Sequence, residues 1–242
     1  MNKQPLLKLL MSAGLGSRRY ITNIIKQGRI SINGEKVQSF SSLVDLQNDS
    51  VLIDNKPVRL KQKPKIVLLL NKPAGLLSTT RDERGRKTVM DIIPHKYKNM
   101  MLYPIGRLDK NTTGLLLLSN DGELTYELTH PKFEHEKEYL VSVDKKLNSS
   151  ELQKIETGVQ LEDGITYPAR IKRHKTGLPF TYTVTIHEGR KRQIHRMFEK
   201  LGYKILALKR VRVGGIKLGN TREGEVRQLS DFEIQKLFSH SK

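Results

Sequence analysis

The sequence predicts an α+β protein in which a small basic α/β module precedes a larger domain. Helix patterns and a hairpin signal share the first 60 residues, buried-strand patterns and an amphipathic helix recur in the remainder, and a charged, proline-broken segment separates the two. The length of 242 residues suffices for a small domain plus a medium one, and a hydrophobic fraction of 36% supports a packed core. We therefore place the module at residues 1–60, a linker at 61–65 and the larger domain at 66–242.

The first module reads as two short helices followed by a β-hairpin. Leucines within residues 6–10 predict a helix that Gly14 ends. Ser17 stands where an N-cap belongs, ahead of a second helix with isoleucines on one stripe, and Gly28 closes that helix. Asn and Gly at residues 33–34 predict a tight turn between two strands.

The larger domain mixes strands with helices. Residues 66–70 and 115–118 are short apolar runs typical of buried strands, and residues 181–186 alternate as in a strand covered on one face. Apolar residues at helical spacing over 194–201 predict a helix with one core face. Ser and Glu within residues 230–233 predict a capping box for a last helix.

Composition narrows the class of protein. Lys and Arg number 44 against 25 Asp and Glu, a net charge of +19 that attracts polyanions, nucleic acid ahead of acidic membranes. The absence of cysteine excludes disulfides, Cys-based zinc sites and thiol nucleophiles, and the seven histidines lack ligand spacing, so no metal is expected. The longest apolar runs are too short to span a bilayer, and Lys8 interrupts the apolar N-terminal stretch. A cytoplasmic protein is the simplest interpretation.

Residues 103–114 form the most informative segment. One proline and two glycines predict an irregular loop before a buried strand, and Asp109 lies there between Arg107 and Lys110. Neighbouring cations keep a carboxylate ionised, as a nucleophile requires. The residues alone leave a second interpretation open, in which Asp109 caps a turn beside a surface arginine.

The first module carries Arg18, Arg19, Lys26 and Arg29 around its helices. Such cations either solvate a surface or contact RNA, and their clustering over 12 residues beside a glycine-rich turn favours RNA. The run over residues 6–37 also resembles the small RNA-binding module named after a small-subunit ribosomal protein.

A second resemblance covers nearly the whole chain. The motif G-R-L-D-K-N-T-T-G-L-L-L-L-S-N-D-G at 106–122 is similar to the central motif of the RsuA/RluB branch of pseudouridine synthases. This resemblance implies a mixed, largely antiparallel sheet, Asp109 as the catalytic residue and Tyr139 packed against the target base. An isomerisation gains and loses no atom, so no cofactor or metal is expected. We expect RNA contacts from Arg107, Lys110, Arg192 and Arg196, with Arg107 orienting the loop or filling the gap left by the flipped base.

The sequence departs from that family pattern at His195. The family motif resembles G-R-x-x-Q-V-R-R-M-F, in which the first paired arginine forms an ion pair with the catalytic aspartate, and here that position holds histidine. Three explanations compete: His195 replaces the arginine, Arg192 or Arg196 reaches in instead, or activity is impaired. We favour the first, and expect Asp109 to raise the pKa of His195.

The resemblance therefore implies an enzyme that isomerises uridine in ribosomal RNA. The pattern T-H-P-x-F-x-x-E-K-E-Y at 129–139 looks nearer to enzymes of large-subunit RNA, with small-subunit RNA as the alternative. A non-catalytic RNA-binding or ribosome-assembly factor and a base-removing glycosylase are the rivals from other classes. Glycoside hydrolysis calls for paired carboxylates, but Asp121 lies in a turn signal and is read as structural. A monomer fits the two-module design.

Overall fold

The structure is a computed structural model that describes residues 3–174 and 181–238, and the chain divides into two compact units. The first comprises residues up to 65 together with 96–101, and the second comprises 66–95 and the residues from 102 onward. Segment 96–101 thus clusters with the first unit although the predicted boundaries assigned it to the larger domain. Within the described ranges, no helix is both long enough and apolar enough to traverse a bilayer.

The first unit follows the predicted order of helices, then hairpin. Its elements are β1 Lys3–Pro5, α1 Leu6–Ser12, α2 Arg18–Lys26, β2 Ile30–Ile32, β3 Glu35–Lys36, β4 Leu43–Asp45, β5 Val51–Ile53 and β6 Lys56–Pro57. Ser17 caps α2 by accepting a hydrogen bond from the backbone N–H of Tyr20 at 3.2 Å, as predicted. The strands form a four-stranded sheet in the order β3-β2-β5-β6, and β1 pairs with β4.

The core of the first unit joins both helices to the sheet. The two helices bury one face each, because their apolar residues repeat at three- and four-residue spacing. The core consists of Leu6, Leu9, Leu10, Ile21, Ile24, Ile25, Ile30, Val44 and Val51. The turn at Asn33 and Gly34 has positive φ at both residues, which is what a tight hairpin requires.

The second unit contains the remaining elements. Its strands are β7 Val67–Lys72, β8 Tyr103–Ile105, β9 Thr113–Ser119, β10 Lys137–Val143, β11 Gln160–Leu161, β12 Gly164–Ile165, β13 Arg170–Arg173, β14 Tyr182–Ile186, β15 Ile205–Val213, β16 Ile216–Lys217 and β17 Val226–Gln228. Its α-helices are α3 Gly122–Thr129, α4 Ser149–Thr157, α5 Gln193–Lys200 and α6 Asp231–Lys236, and short 3₁₀ helices span Val89–Ile92 and Pro131–Phe133. The predicted capping box at Ser230 and Glu233 begins α6.

A nine-stranded mixed sheet organises the second unit. Its main order is β13-β14-β10-β15-β9-β7-β17, with β16 added to β15 and β8 to β9. Only β9 and β15 run parallel among its pairs in the described chain, so the sheet is mixed and largely antiparallel, as expected. β7 and β9 are apolar over most of their length and lie buried in the sheet, and β9 begins directly after the loop that carries Asp109.

Gly114 permits the close approach of β9 and β15. Thr113 and Gly114 pair with Lys209 and Arg210, and a Cβ added to Gly114 would lie 2.1 Å from the carbonyl oxygen of Arg210. The φ of Gly114 is +98°, a conformation that other residues rarely adopt. This glycine therefore brings the Asp109 loop and the strand of Arg210 together.

Candidate active site

The loop between β8 and β9 presents Asp109 and is tied down along its backbone. Leu108 is buried, and its carbonyl oxygen and N–H both bond the hydroxyl of Ser78, at 2.9 and 3.1 Å. The N–H of Thr112 donates to the carbonyl of Asp109 at 3.1 Å. The loop is thus a fixed platform for the carboxylate.

Lys72, the last residue of β7, supplies the main anchor of this loop. Its side chain is fully buried, and Nζ donates to the carbonyl oxygens of Asp109, Lys110 and Thr112 at 3.2, 3.0 and 3.0 Å, and to that of Pro73 at 3.0 Å. Burial lowers the pKa of Lys72 to about 8, against the opposing effect of the Asp109 charge. Lys72 could not be predicted as part of the site from the sequence, because a lysine that ends an apolar strand is typical of a surface residue.

The carboxylate of Asp109 faces His195 in the first turn of α5. Their closest atoms, Oδ2 and Nδ1, are 4.0 Å apart, too far for a hydrogen bond, and Nδ1 has no partner within the described residues. The Asp109 side chain is 40% exposed and that of His195 is 19% exposed, so the carboxylate is accessible while the imidazole is largely covered.

The pKa of His195 corrects one expectation. We expected it to rise above its usual value, but it is lowered from 6.5, first by burial and then by the Arg192 charge. Asp109 and Glu199 act in the opposite direction and do not prevail. The imidazole is therefore neutral at pH 7.

Arg196 does not take the place of the family arginine. Its guanidinium forms a bidentate contact with the carboxylate of Asp163 at 2.8 and 3.0 Å. Arg192 lies 3.7 Å from Glu199 and is exposed. Of the three residues considered for this role, His195 is the one that the structure brings within 4.0 Å of Asp109.

Arg190 lies in a run of basic residues, yet its side chain forms hydrogen bonds within the protein. Its guanidinium donates to Glu188 at 2.8 Å and to the carbonyl oxygens of Asp163, Gly164 and Ile165 at 3.2, 3.1 and 2.7 Å. It thereby holds the turn between β11 and β12 against the start of α5.

Asp109 lies on the wall of a cavity of about 860 Å³ in the second unit, within the size range of ligand sites. Tyr139, on β10, also lines the cavity and is 8% exposed, so the structure brings together the predicted catalytic residues Asp109, Tyr139 and His195. Several cations share the lining: Arg107, Lys110, Lys137, Arg190, Lys191, Arg192 and Arg210. The predicted acid thus opens onto a positively lined cleft.

The cations predicted to bind RNA differ in their surroundings. Arg107 and Lys110 are exposed and make no ion pair within the described chain, while Arg192 and Arg196 have the acidic partners given above. In the first unit Arg18 and Arg19 are exposed on α2. Arg29 instead contacts both carboxylate oxygens of Asp54, at 2.7 and 2.6 Å. Arg29, Arg192 and Arg196 already have acidic partners, so they are less available to bind RNA phosphates than their sequence positions imply.

Asp121 is a helix cap, as its turn signal indicated. Its Oδ1 accepts hydrogen bonds from the N–H groups of Glu123 and Leu124 at 3.0 and 3.4 Å, and α3 begins there. It is not among the residues that line the cavity. Asp109 and Asp121 therefore do not form the carboxylate pair that glycoside hydrolysis uses.

Comparison with known proteins shows the family of the chain. A family model described as RNA pseudouridylate synthase matches residues 66–200, and one described as S4 domain matches residues 4–51. An uncharacterized RNA pseudouridine synthase of Aquifex aeolicus is 40% identical over 234 residues, which cover 96% of this chain and 92% of that protein. The ribosomal large subunit pseudouridine synthase B of Bacillus subtilis is 38% identical over 237 residues, with coverage of 96% and 94%.

A solved structure supports the same conclusion. The crystal structure of a pseudouridylate synthase aligns with a TM-score of 0.69 and 31% identity, covering 96% of this chain and 99% of that one. The fold expected from the resemblance is therefore confirmed. The chain belongs to the RNA pseudouridylate synthase family and is an RNA pseudouridine synthase with an N-terminal S4 domain.

Proposed function

We propose that the chain isomerises uridine to pseudouridine in large-subunit ribosomal RNA, with Asp109 as its catalytic carboxylate. One observation carries the assignment of Asp109: this half-exposed carboxylate, on a loop anchored by Lys72, opens onto a cavity that Tyr139 and several cations also line. The choice of substrate rests on the relatives in Bacillus subtilis and Vibrio cholerae, both described as ribosomal large subunit pseudouridine synthase B.

The reaction breaks the bond between C1′ of the ribose and N1 of uracil and forms a bond from C1′ to C5. No atom is gained or lost. Asp109 either attacks C1′ or removes a neighbouring ribose proton, and both roles need an ionised carboxylate that reaches the substrate. Its exposure in the cavity allows the side chain to reach the substrate.

Tyr139 and His195 have supporting roles. The target uridine has to leave its stack, which costs a few kcal/mol, and the ring of Tyr139 returns part of this by packing against the base. Neutral His195 approaches Asp109 when RNA fills the cleft, and its Nδ1–H, unpartnered in the described chain, becomes a hydrogen-bond donor to the carboxylate.

Contacts to the RNA backbone come from both units. Arg107 and Lys110, exposed at the cavity, bind phosphates next to the target, and Arg18 and Arg19 on α2 bind elsewhere on the same RNA. Two linked contacts raise the effective affinity above that of either unit.

The decisive experiment incubates the protein with transcripts of large- and small-subunit ribosomal RNA and maps pseudouridine at single-nucleotide resolution. The wild type is expected to modify large-subunit RNA, and Asp109→Asn, of the same shape and without the charge, is expected to be silent while it still binds RNA. Retained activity of Asp109→Asn would reject the catalytic assignment, and modification of small-subunit RNA alone would reject the substrate. Released free uracil would identify a glycosylase, and an inactive wild type that binds RNA would identify a binding factor.

A further inference from the structure

Two cations at the cavity, the buried Arg210 and the partly buried Lys137, have no acidic partner in the described chain. Arg210 is 4% exposed, and among the described residues its one hydrogen bond is from Nε to the carbonyl of Leu115, at 2.7 Å. Lys137 donates to the carbonyl of His135 at 2.9 Å and makes no ion pair among the described residues. Removing a positive charge from water without a nearby anion costs free energy, so the position of these two cations needs an explanation.

The sheet places both cations beside Tyr139. Arg210 of β15 is the direct antiparallel partner of Tyr139 on β10, and Lys137 precedes Tyr139 by two residues on the same strand. Since alternate residues of a strand share a face, all three side chains lie on one face of the sheet, and all three line the cavity. The register shifts between Glu138 and Tyr139, an irregularity of the kind found next to active sites.

A neighbouring arginine that does not line the cavity has its charge compensated by carboxylates. Arg212, on the same strand as Arg210, is 5% exposed and forms ion pairs with Glu136 at 3.1 Å and with Glu138 at 3.4 Å. Arg210 has no such carboxylates. The two cations that lack a carboxylate partner in the described chain, Lys137 and Arg210, therefore lie beside Tyr139 at the cavity.

We propose that Lys137 and Arg210 stabilise the negative charge of the uracil ring once its bond to ribose has broken, an inference that rests on the proposed function. When the C1′–N1 bond breaks, its electron pair leaves with the base, and the uracil carries a negative charge spread over N1 and its two carbonyl oxygens. This holds whether Asp109 forms a bond to C1′ or takes a ribose proton. C5 then bonds C1′ as the bond from Asp109 to C1′ breaks, or, in the other route, as the ribose regains its proton from Asp109; C5 loses its proton and N1 gains one, so that atoms and charge balance.

Electrostatics favours this role. Donors that are already in place where charge develops stabilise a transition state without reorganisation, and the desolvation of buried Arg210 and partly buried Lys137 strengthens the effect. Burial and the Arg210 charge lower the pKa of Lys137 to about 8, so the ammonium remains protonated at pH 7. A phosphate of the RNA backbone is the other anion that this site would attract.

The test separates the rate of chemistry from RNA affinity. Single-turnover rates are measured on large-subunit RNA for wild type, Lys137→Met, Lys137→Arg and Arg210→Met, and Kd is measured with the same substitutions in the Asp109→Asn protein. We expect Lys137→Met to lower the rate about a hundred-fold with Kd within two-fold, and Lys137→Arg to recover most of it. Lys172→Met, an exposed lysine on β13 outside the cavity, is the matched control and should keep the wild-type rate.

The melting temperature provides a second readout. It should fall on substitution if Lys137 has a structural role, and it should not fall if Lys137 acts only on the charge of the uracil. Replacing a desolvated charge that has no acidic partner in the described chain by an apolar side chain of similar size is neutral or stabilising, so Lys137→Met should melt no lower than wild type. A raised Kd with an unchanged rate would identify a phosphate site and overturn the proposal, as would full activity of Lys137→Met. Loss of activity together with a lower melting temperature would also count against it. A silent wild type would instead refute the proposed function itself.

Discussion

Replacing Lys72 by methionine tests whether the Asp109 loop depends on one buried ammonium. The substitution keeps the length of the side chain and removes the donor to the carbonyls of Asp109, Lys110 and Thr112. Hydrogen bonds to a charged group contribute about 1.5–3 kcal/mol each, so the three long-range bonds together contribute roughly 5–9 kcal/mol.

The cost of burying the charge offsets part of this contribution. The fall of the Lys72 pKa from 10.5 to about 8 corresponds to roughly 3 kcal/mol against the charged form. We therefore expect Lys72→Met to lower the free energy of unfolding by about 3 kcal/mol at pH 7, within the range for breaking a buried charged contact. Because a displacement of 1 Å at a reacting group costs up to about a hundred-fold in rate, pseudouridine formation should fall at least ten-fold.

Urea unfolding followed by far-UV circular dichroism gives the stability, with the slope compared between proteins so that a change in midpoint is read as a change in free energy. Single-turnover rates are taken at urea-free conditions in which both proteins are folded. Lys154→Met, an exposed lysine on α4, is the control and should change stability by less than about 0.5 kcal/mol. If Lys72→Met unfolded at the wild-type midpoint and kept the wild-type rate, the loop would not depend on this anchor and the reasoning would be refuted.

Three further predictions concern single positions. Because the pKa of His195 is lowered from 6.5, the imidazole loses its charge below that pH and is already the neutral donor at pH 7. Between pH 7 and about 9, kcat/KM should therefore show no transition that His195→Arg removes, and such a transition would contradict this. Gly114→Ala should destabilise the second unit by more than about 3 kcal/mol, since its Cβ meets the Arg210 carbonyl at 2.1 Å, while Gly189→Ala, with nothing within 4 Å, should unfold at nearly the wild-type midpoint in the same urea assay. Arg107→Gln should weaken RNA binding and reduce the slope of log Kd against log salt by about 0.7–0.9, and an unchanged slope would show that Arg107 binds no phosphate.

Local signals allowed much of the fold to be predicted. Ser17 caps its helix and the capping box at Ser230 begins the last one, because a cap depends only on residues three positions apart. The buried strands β7 and β9 follow from apolar runs too short for helices. The loop that carries Asp109 follows from its glycines and its place before a strand.

The interior of the site could not be predicted, because it depends on partners distant in sequence. Lys72 bonds carbonyls 37 to 40 positions away, and Arg196 pairs with Asp163, 33 positions away. General rules place lysine and arginine outside a core, so the sequence around Arg210 gave no local sign that this residue is buried, nor the sequence around Lys137 that it is partly covered. The direction of the His195 pKa depended in the same way on burial, which the sequence does not reveal.

The parallel pairing of β9 with β15 has a consequence for how the molecule is assembled. The two strands join segments about 95 residues apart in the chain, as in the bond from Arg210 to Leu115. Closing a loop of that length costs roughly 4 kcal/mol of chain entropy beyond a constant, and contacts of such high sequence separation form slowly. During synthesis, Asp109 leaves the ribosome well before the strand that completes its cavity. A nascent or truncated chain that lacks β15 would therefore contain Asp109 but not Arg210 of the cavity wall. Catalytic activity should arise only after the whole sheet of the second unit has formed.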